Sequence, residues 1–114
     1  MATNYVSEGK AIVLNVGTNK KSGDPVAVGK LVGVCLVDSD ANGDATVLTE
    51  GIFILSVVGN DGTNNVAVSV GDALYIDPAT GTIDRDSANT LFGYALEAVA
   101  SGATANIQVK VANK

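Results

Sequence analysis

Apolar residues along this chain recur mostly at every second position, the period of a half-buried β-strand. The cleanest case is Thr104–Val111, where Ala105, Ile107, Val109 and Val111 alternate with Thr104, Asn106, Gln108 and Lys110. Ile12, Leu14 and Val16 alternate in the same way over residues 10–16. The pattern predicts further strands at 26–28, 31–37, 46–48, 51–58, 66–70 and 74–76, with a return strand starting at Thr82-Ile83. Turn chemistry separates them: Gly29-Lys30, Asn42-Gly43, Asn60-Asp61-Gly62 and Gly71-Asp72. Asp77-Pro78-Ala79-Thr80-Gly81 predicts a type I turn, with proline at its second position and a closing glycine at positive φ. Residues 1–9 read as a polar arm carrying two apolar anchors, Tyr5 and Val6, ahead of a single β domain over 10–114.

Residues 91–100 are ambiguous, because Tyr94-Ala95-Leu96-Glu97-Ala98-Val99-Ala100 has helical propensity. An internal comparison favours strand. Leu31-Val32-Gly33-Val34-Cys35-Leu36 is matched by Leu91-Phe92-Gly93-Tyr94-Ala95-Leu96. Gly43-Asp44-Ala45-Thr46-Val47 is echoed from Gly102, and Gly23-Asp24 and Gly71-Asp72 each precede a β run. The chain therefore reads as two related halves. Gly33 and Gly93 lie inside apolar runs, where glycine marks a bulge, a bend or a close backbone approach. Bent strands at matching positions suit a small closed or nearly closed barrel. The expected fold is all-β: a small β-barrel or β-clip-like domain of short strands with tight turns.

Composition supports this class. The chain has 114 residues, 46% hydrophobic but only 4% aromatic, so its core must be built from Val, Ile, Leu and Ala. The 13 glycines serve the turns. Net charge is −5, and the pI is about 4.3. Such a chain lacks the cationic surface that phosphate backbones and anionic membranes require, so neither nucleic acid nor membrane is an expected partner. Lys20-Lys21 lies in a turn-like segment and reads as a solvated loop. The first residues lack the basic start and apolar stretch of a secretory leader, which predicts synthesis and folding in a bacterial host cytoplasm.

Candidate chemistry is sparse. There is no histidine, and the single Cys35 lies in an apolar run, so it reads as a small buried hydrophobe. Gly23-Asp24-Pro25-Val26-Ala27-Val28-Gly29-Lys30 imitates a phosphate-binding loop. It has one residue too many between its glycines, and Leu31 stands where the Mg²⁺-binding hydroxyl belongs. Asp38, Asp40 and Asn42 followed by Gly43 resemble the front half of a calcium loop. The closing acid should stand at Thr49, and Glu50 is one residue late, so a polar hairpin turn is the preferred reading. Asp72, Asp77, Asp84 and Asp86 sit beside turn residues that they would cap. Glu97 reads as a solvent-facing or inter-subunit position. No catalytic set, cofactor site or metal site is assigned.

Three stretches carry a family resemblance. Asn4-Tyr5-Val6-Ser7-Glu8-Gly9-Lys10 is similar to the opening of the phage capsid cement (head decoration) proteins. Gly23-Asp24-Pro25-Val26 leading to Leu31-Val32-Gly33-Val34 resembles the second element of that family. Gly71-Asp72-Ala73-Leu74-Tyr75, Leu91 to Leu96 and the final strand resemble its C-terminal half. Members are sometimes labelled recombinase-like, and the failed phosphate loop argues against that label here. The resemblance implies a non-enzymatic β-barrel-like protein on the capsid exterior of the virion, bound to the major capsid protein as a homotrimer, without cofactors. Asn4, Tyr5 and Val6 are the candidate capsid or inter-subunit contacts. The alternative is a carbohydrate- or host-surface-binding β module. The absence of Trp and the presence of only three Tyr weigh against it, because sugar platforms are aromatic.

Overall fold

The computed structural model describes residues 11–111. Nine strands follow in chain order: β1 (Ala11–Asn15), β2 (Pro25–Val28), β3 (Leu31–Cys35), β4 (Asp44–Leu48), β5 (Gly51–Val58), β6 (Ala73–Ile76), β7 (Ile83–Asp84), β8 (Thr90–Ala95) and β9 (Thr104–Val111). The first four form an open sheet in the order β1-β4-β3-β2, and the other five close a barrel in the order β5-β7-β6-β8-β9. No helix occurs among the described residues. The predicted all-β class with a small barrel is what is observed, and residues 90–95 are strand.

The two sheets are one unit written twice. β1 pairs with β4 as β5 pairs with β9, β3 with β4 as β8 with β9, and β2 with β3 as β6 with β8, all antiparallel. The turns entering β2 and β6 share their hydrogen bonds. Lys21 N–H donates to Asp24 Oδ2 at 2.9 Å, and Ser69 N–H donates to Asp72 Oδ2 at 2.8 Å. Gly23 N–H donates to the Cys35 carbonyl and Gly71 N–H to the Ala95 carbonyl, each at 2.7 Å. Gly23 and Gly71 have φ of 92° and 90°, a left-handed conformation that costs glycine nothing. The repeated Gly-Asp pair is thus a turn glycine followed by the carboxylate that caps the turn.

Register corrects two details of the sequence comparison. Val34 faces Leu48 as Tyr94 faces Lys110. Gly43 therefore corresponds to Ala105, not to Gly102, because the β5–β9 ladder runs on through Val57↔Ala105 and Val58↔Thr104. In β8, Leu74 faces Gly93 while Tyr75 faces Leu91, which leaves Phe92 as a bulged extra residue that β3 lacks. Gly33 and Gly93 both mark close approach. A Cβ on Gly33 would stand 2.5 Å from the Leu48 carbonyl oxygen, and one on Gly93 would overlap the Lys110 carbonyl.

The halves differ where the barrel closes. Gly29-Lys30 alone joins β2 to β3, whereas the β6–β8 connection is long and carries β7. β7 pairs antiparallel with β6 (Ile76↔Ile83) and parallel with β5 (Val57↔Ile83), and Ile83 is fully buried there. The larger core fills the barrel with Leu55, Val57, Leu74, Ile76, Phe92, Ile107 and Val109, and Val32 and Val34 of the first sheet join it. A second core of Val26, Cys35, Ala45 and Val47, flanked by Leu14 and Val16, lines the open sheet.

One predicted strand is absent. Residues 66–70 make only an isolated bridge, Val68↔Val99. Val66 N–H goes to the Gly59 carbonyl, and Ser69 already belongs to the capped turn. Alternating Val66, Val68 and Val70 thus imitate a strand that has no neighbour to pair with along its length. Residues 36 and 37, predicted to continue β3, instead form a bend with exposed side chains.

Candidate functional site

An open groove of about 390 Å³ is lined by Asp61, Val66, Ala73, Tyr75, Arg85 and Ser87. Each charged group there has a local task. Asp61 Oδ1 accepts Thr63 N–H (3.0 Å) and Asn64 N–H (2.7 Å). Those backbone donors hold its carboxyl below the ordinary range. Arg85 donates Nη1–H to the Ala67 carbonyl at 3.0 Å and lies 3.8 Å from Asp72 through Nε. Asp72 in turn caps the Ser69 turn. The charged groups of the groove hold turns in place.

Asp84, on β7 next to the groove-lining Arg85, has its carboxyl pKa pushed upward. Partial burial is the leading cause, with Asp86, Asp77 and Asp61 adding like charge against one backbone hydrogen bond from Asp86. A raised carboxyl pKa means that the folded chain binds the proton more tightly than the unfolded one. The charged form then lowers stability at neutral pH, and this penalty fades as pH falls through the raised pKa towards 3.8. Asp84→Asn keeps an acceptor for Asp86 N–H. It is expected to raise the urea midpoint modestly at neutral pH and to leave it unchanged below pH 3.8. Urea titrations across that range read the difference.

The other sequence candidates are placed apart. Asp40 Oδ1 accepts Asn42 N–H (2.8 Å) and Asp44 N–H (3.0 Å), closing the polar hairpin turn. Asp38 Oδ1 accepts Ser22 N–H (2.9 Å) across to another loop. Among the described residues no group of three or more His, Cys, Asp or Glu is arranged to hold a metal ion. Cys35 is buried in the second core, and burial raises its thiol pKa, with Asp24 adding to the effect. Glu97 is exposed, and its Oε2 accepts Gln108 N–H at 2.7 Å. Asn4, Tyr5 and Val6 lie outside the described residues.

What the surface offers instead is apolar. Val13, Ile52 and Ile54 point outward from β1 and β5, and Leu31, Leu36, Val37 and Val70 are exposed at turns. Alternation of Ile12, Leu14 and Val16 already set Val13 on the opposite face, but sequence pattern had hidden Ile52 and Ile54. In Ile52-Phe53-Ile54-Leu55 both faces are apolar, so alternation cannot say which face is outside. The missing polar residue on the outward face was itself the available signal.

Comparison with curated proteins gives no match, and comparison with solved structures gives none either. The sequence model of the phage cement proteins, by contrast, matches residues 6–111, which spans both repeats and every described strand. A chain that this family's model matches over nearly its whole length belongs to the phage cement protein family.

Proposed function

We propose that this protein binds the outer surface of a tailed-phage head as a homotrimer and stabilises the shell. The family match over residues 6–111 carries the reading, since phage cement proteins are structural proteins of the capsid. Its partners are then the major capsid protein and further copies of itself. Exposed apolar strands support a surface that is buried by association. An oligomer touching several shell subunits gains from multivalency. Selective binding to the assembled lattice stabilises that lattice by mass action. Net charge of −5 disfavours the packaged nucleic acid as a partner.

The test mixes purified protein with undecorated, expanded capsids and measures co-sedimentation together with capsid survival on heating. Saturable binding and a higher disruption temperature are expected. Capsids that pellet bare, with the protein bound instead to a glycan, would replace this reading by the surface-binding one. Residues 1–9, with Asn4, Tyr5 and Val6, are proposed to contribute shell or inter-subunit contacts. Their deletion is expected to weaken capsid retention at least tenfold, and unchanged retention removes them from the interface.

A further inference from the structure

Backbone direction shows which strand edges remain open. Gly59 N–H donates to the Ala103 carbonyl at 2.8 Å on the β9 side. Main-chain groups on an antiparallel strand alternate in direction, so Phe53, Leu55 and Val57 face β9 while Ile52, Ile54 and Ser56 face away. β7 reaches only Val57, so the N–H and C=O of Ile52 and Ile54 have no described strand beside them. On β1, Val16 N–H donates to the Gly43 carbonyl at 2.8 Å. Leu14 and Ile12 therefore face β4, while Ala11, Val13 and Asn15 face outward, where no described strand lies.

The third edge shows what protection looks like in this molecule. β2 presents Pro25 outward, which has no N–H to offer, and the β6–β7 turn lies beside it, with a Cβ built on Gly81 only 3.6 Å from the Pro25 carbonyl oxygen. Strand edges are usually guarded by charge, proline or a covering segment. β5 reads Gly-Ile-Phe-Ile-Leu-Ser-Val-Val, with neither charge nor proline. Its outward Ile54 is 71% exposed, and Val13 on β1 is 67% exposed. These two residues occupy the same position in the two repeats, Val13 facing Thr46 and Ile54 facing Gln108.

We infer that the β1 edge of one copy pairs antiparallel with the β5 edge of the next. Setting Val13 opposite Ile54 brings together main-chain groups that both point outward, and it places both side chains on the same outer face. Asn15 then falls opposite Ile52, with no like charges opposed, and the contact stops short of Ser56, where β7 already lies. A β5–β5 contact would leave Val13 and the β1 edge bare, whereas the β1–β5 contact covers both. Each copy offers one edge of each kind, so the contact is heterologous, and in the proposed trimer three such contacts close a ring. This names the self-contact of the proposed assembly and rests on that reading only in holding that copies associate.

The test uses the full chain without capsids, by sedimentation and light scattering at micromolar concentration. Wild type is expected as a closed ring. Val13→Lys and Ile54→Lys are each expected to be monomeric, with unchanged far-UV circular dichroism. An equimolar mixture is expected to form a dimer and stop there, because one variant keeps its β5 edge and the other its β1 edge. Ile52→Lys, on the same β5 edge, should behave like Ile54→Lys. A monomeric wild type, a Val13→Lys variant that assembles normally, or a mixture that stays monomeric overturns the contact. Capsid retention is scored separately. Lost assembly with retained capsid binding supports the contact. Intact assembly with lost capsid binding assigns these edges to a shell strand and overturns it.

Discussion

Alanine at Gly93 is expected to destabilise the protein by about 3 kcal/mol or more, a large share of the roughly 5–15 kcal/mol typical of a domain. The added methyl group would overlap the Lys110 carbonyl, and Val111 Cα lies 3.1 Å away. Both obstacles are backbone in the neighbouring strand, so no side-chain rotation relieves them. β8 and β9 would have to part at Gly93↔Val111, inside a closed barrel whose circumference cannot widen at one seam alone. Gly33→Ala meets the Leu48 carbonyl in the same way. It should cost less, because the β3–β4 ladder has only Val34↔Leu48 and Cys35↔Val47 to disturb and its sheet is open. Gly71→Ala is the control for backbone strain: φ is 90° with nothing near, so about 1–2 kcal/mol is expected. Urea titrations of the three variants give the ranking, and equal costs at Gly93 and Gly71 would refute close approach as the cause.

Phe92→Ala is expected to cost about 3–5 kcal/mol, the usual penalty for emptying a buried aromatic site. Phe92 is fully buried, and it is the extra residue of the β8 bulge. Its ring shares the large core with Val32 and Val34 of the first sheet, so its loss loosens the seam between the repeats as well as the barrel. Phe92→Leu refills most of that volume and should recover more than half of the loss. Thermal unfolding read by circular dichroism measures both variants. A cost below about 1 kcal/mol for the alanine variant would show that the site collapses freely.

Period-two alternation located β9 to its ends, because one face of it meets the core without interruption, whereas β5 was found as an apolar run between turn residues. The duplicated Gly-Asp turn was visible for a chemical reason: a positive-φ glycine and a capping carboxylate leave few other residues acceptable. Other features were hidden by pairing, which a single chain does not display. Val66, Val68 and Val70 alternate as well as any strand, yet only Val68 finds a partner. The bulge at Phe92 and the shift from Gly102 to Ala105 are register facts that appear only when the opposite strand is present. The surface was the least legible part. Val13 sits in a regular alternating strand beside Ala11, and Ile54 sits in a run apolar on both sides. Alternation set Val13 opposite Ile12 and Leu14, but nothing in the run around Ile54 marked it as exposed before the sheets were assembled.

The long separation of the barrel's joining strands also governs how the molecule reaches its native state. Gly51 must find Val111, with most of the second repeat looped out between them, before the β5–β9 seam exists. The ordering entropy of that loop is spent before the seam returns any stabilisation, which makes refolding slow relative to helical chains of similar length. The Gly29-Lys30 hairpin, with Val28 facing Leu31, needs no such search. The first repeat therefore has a local starting point, while the ring of strands behind it is completed last by the meeting of its two most distant members.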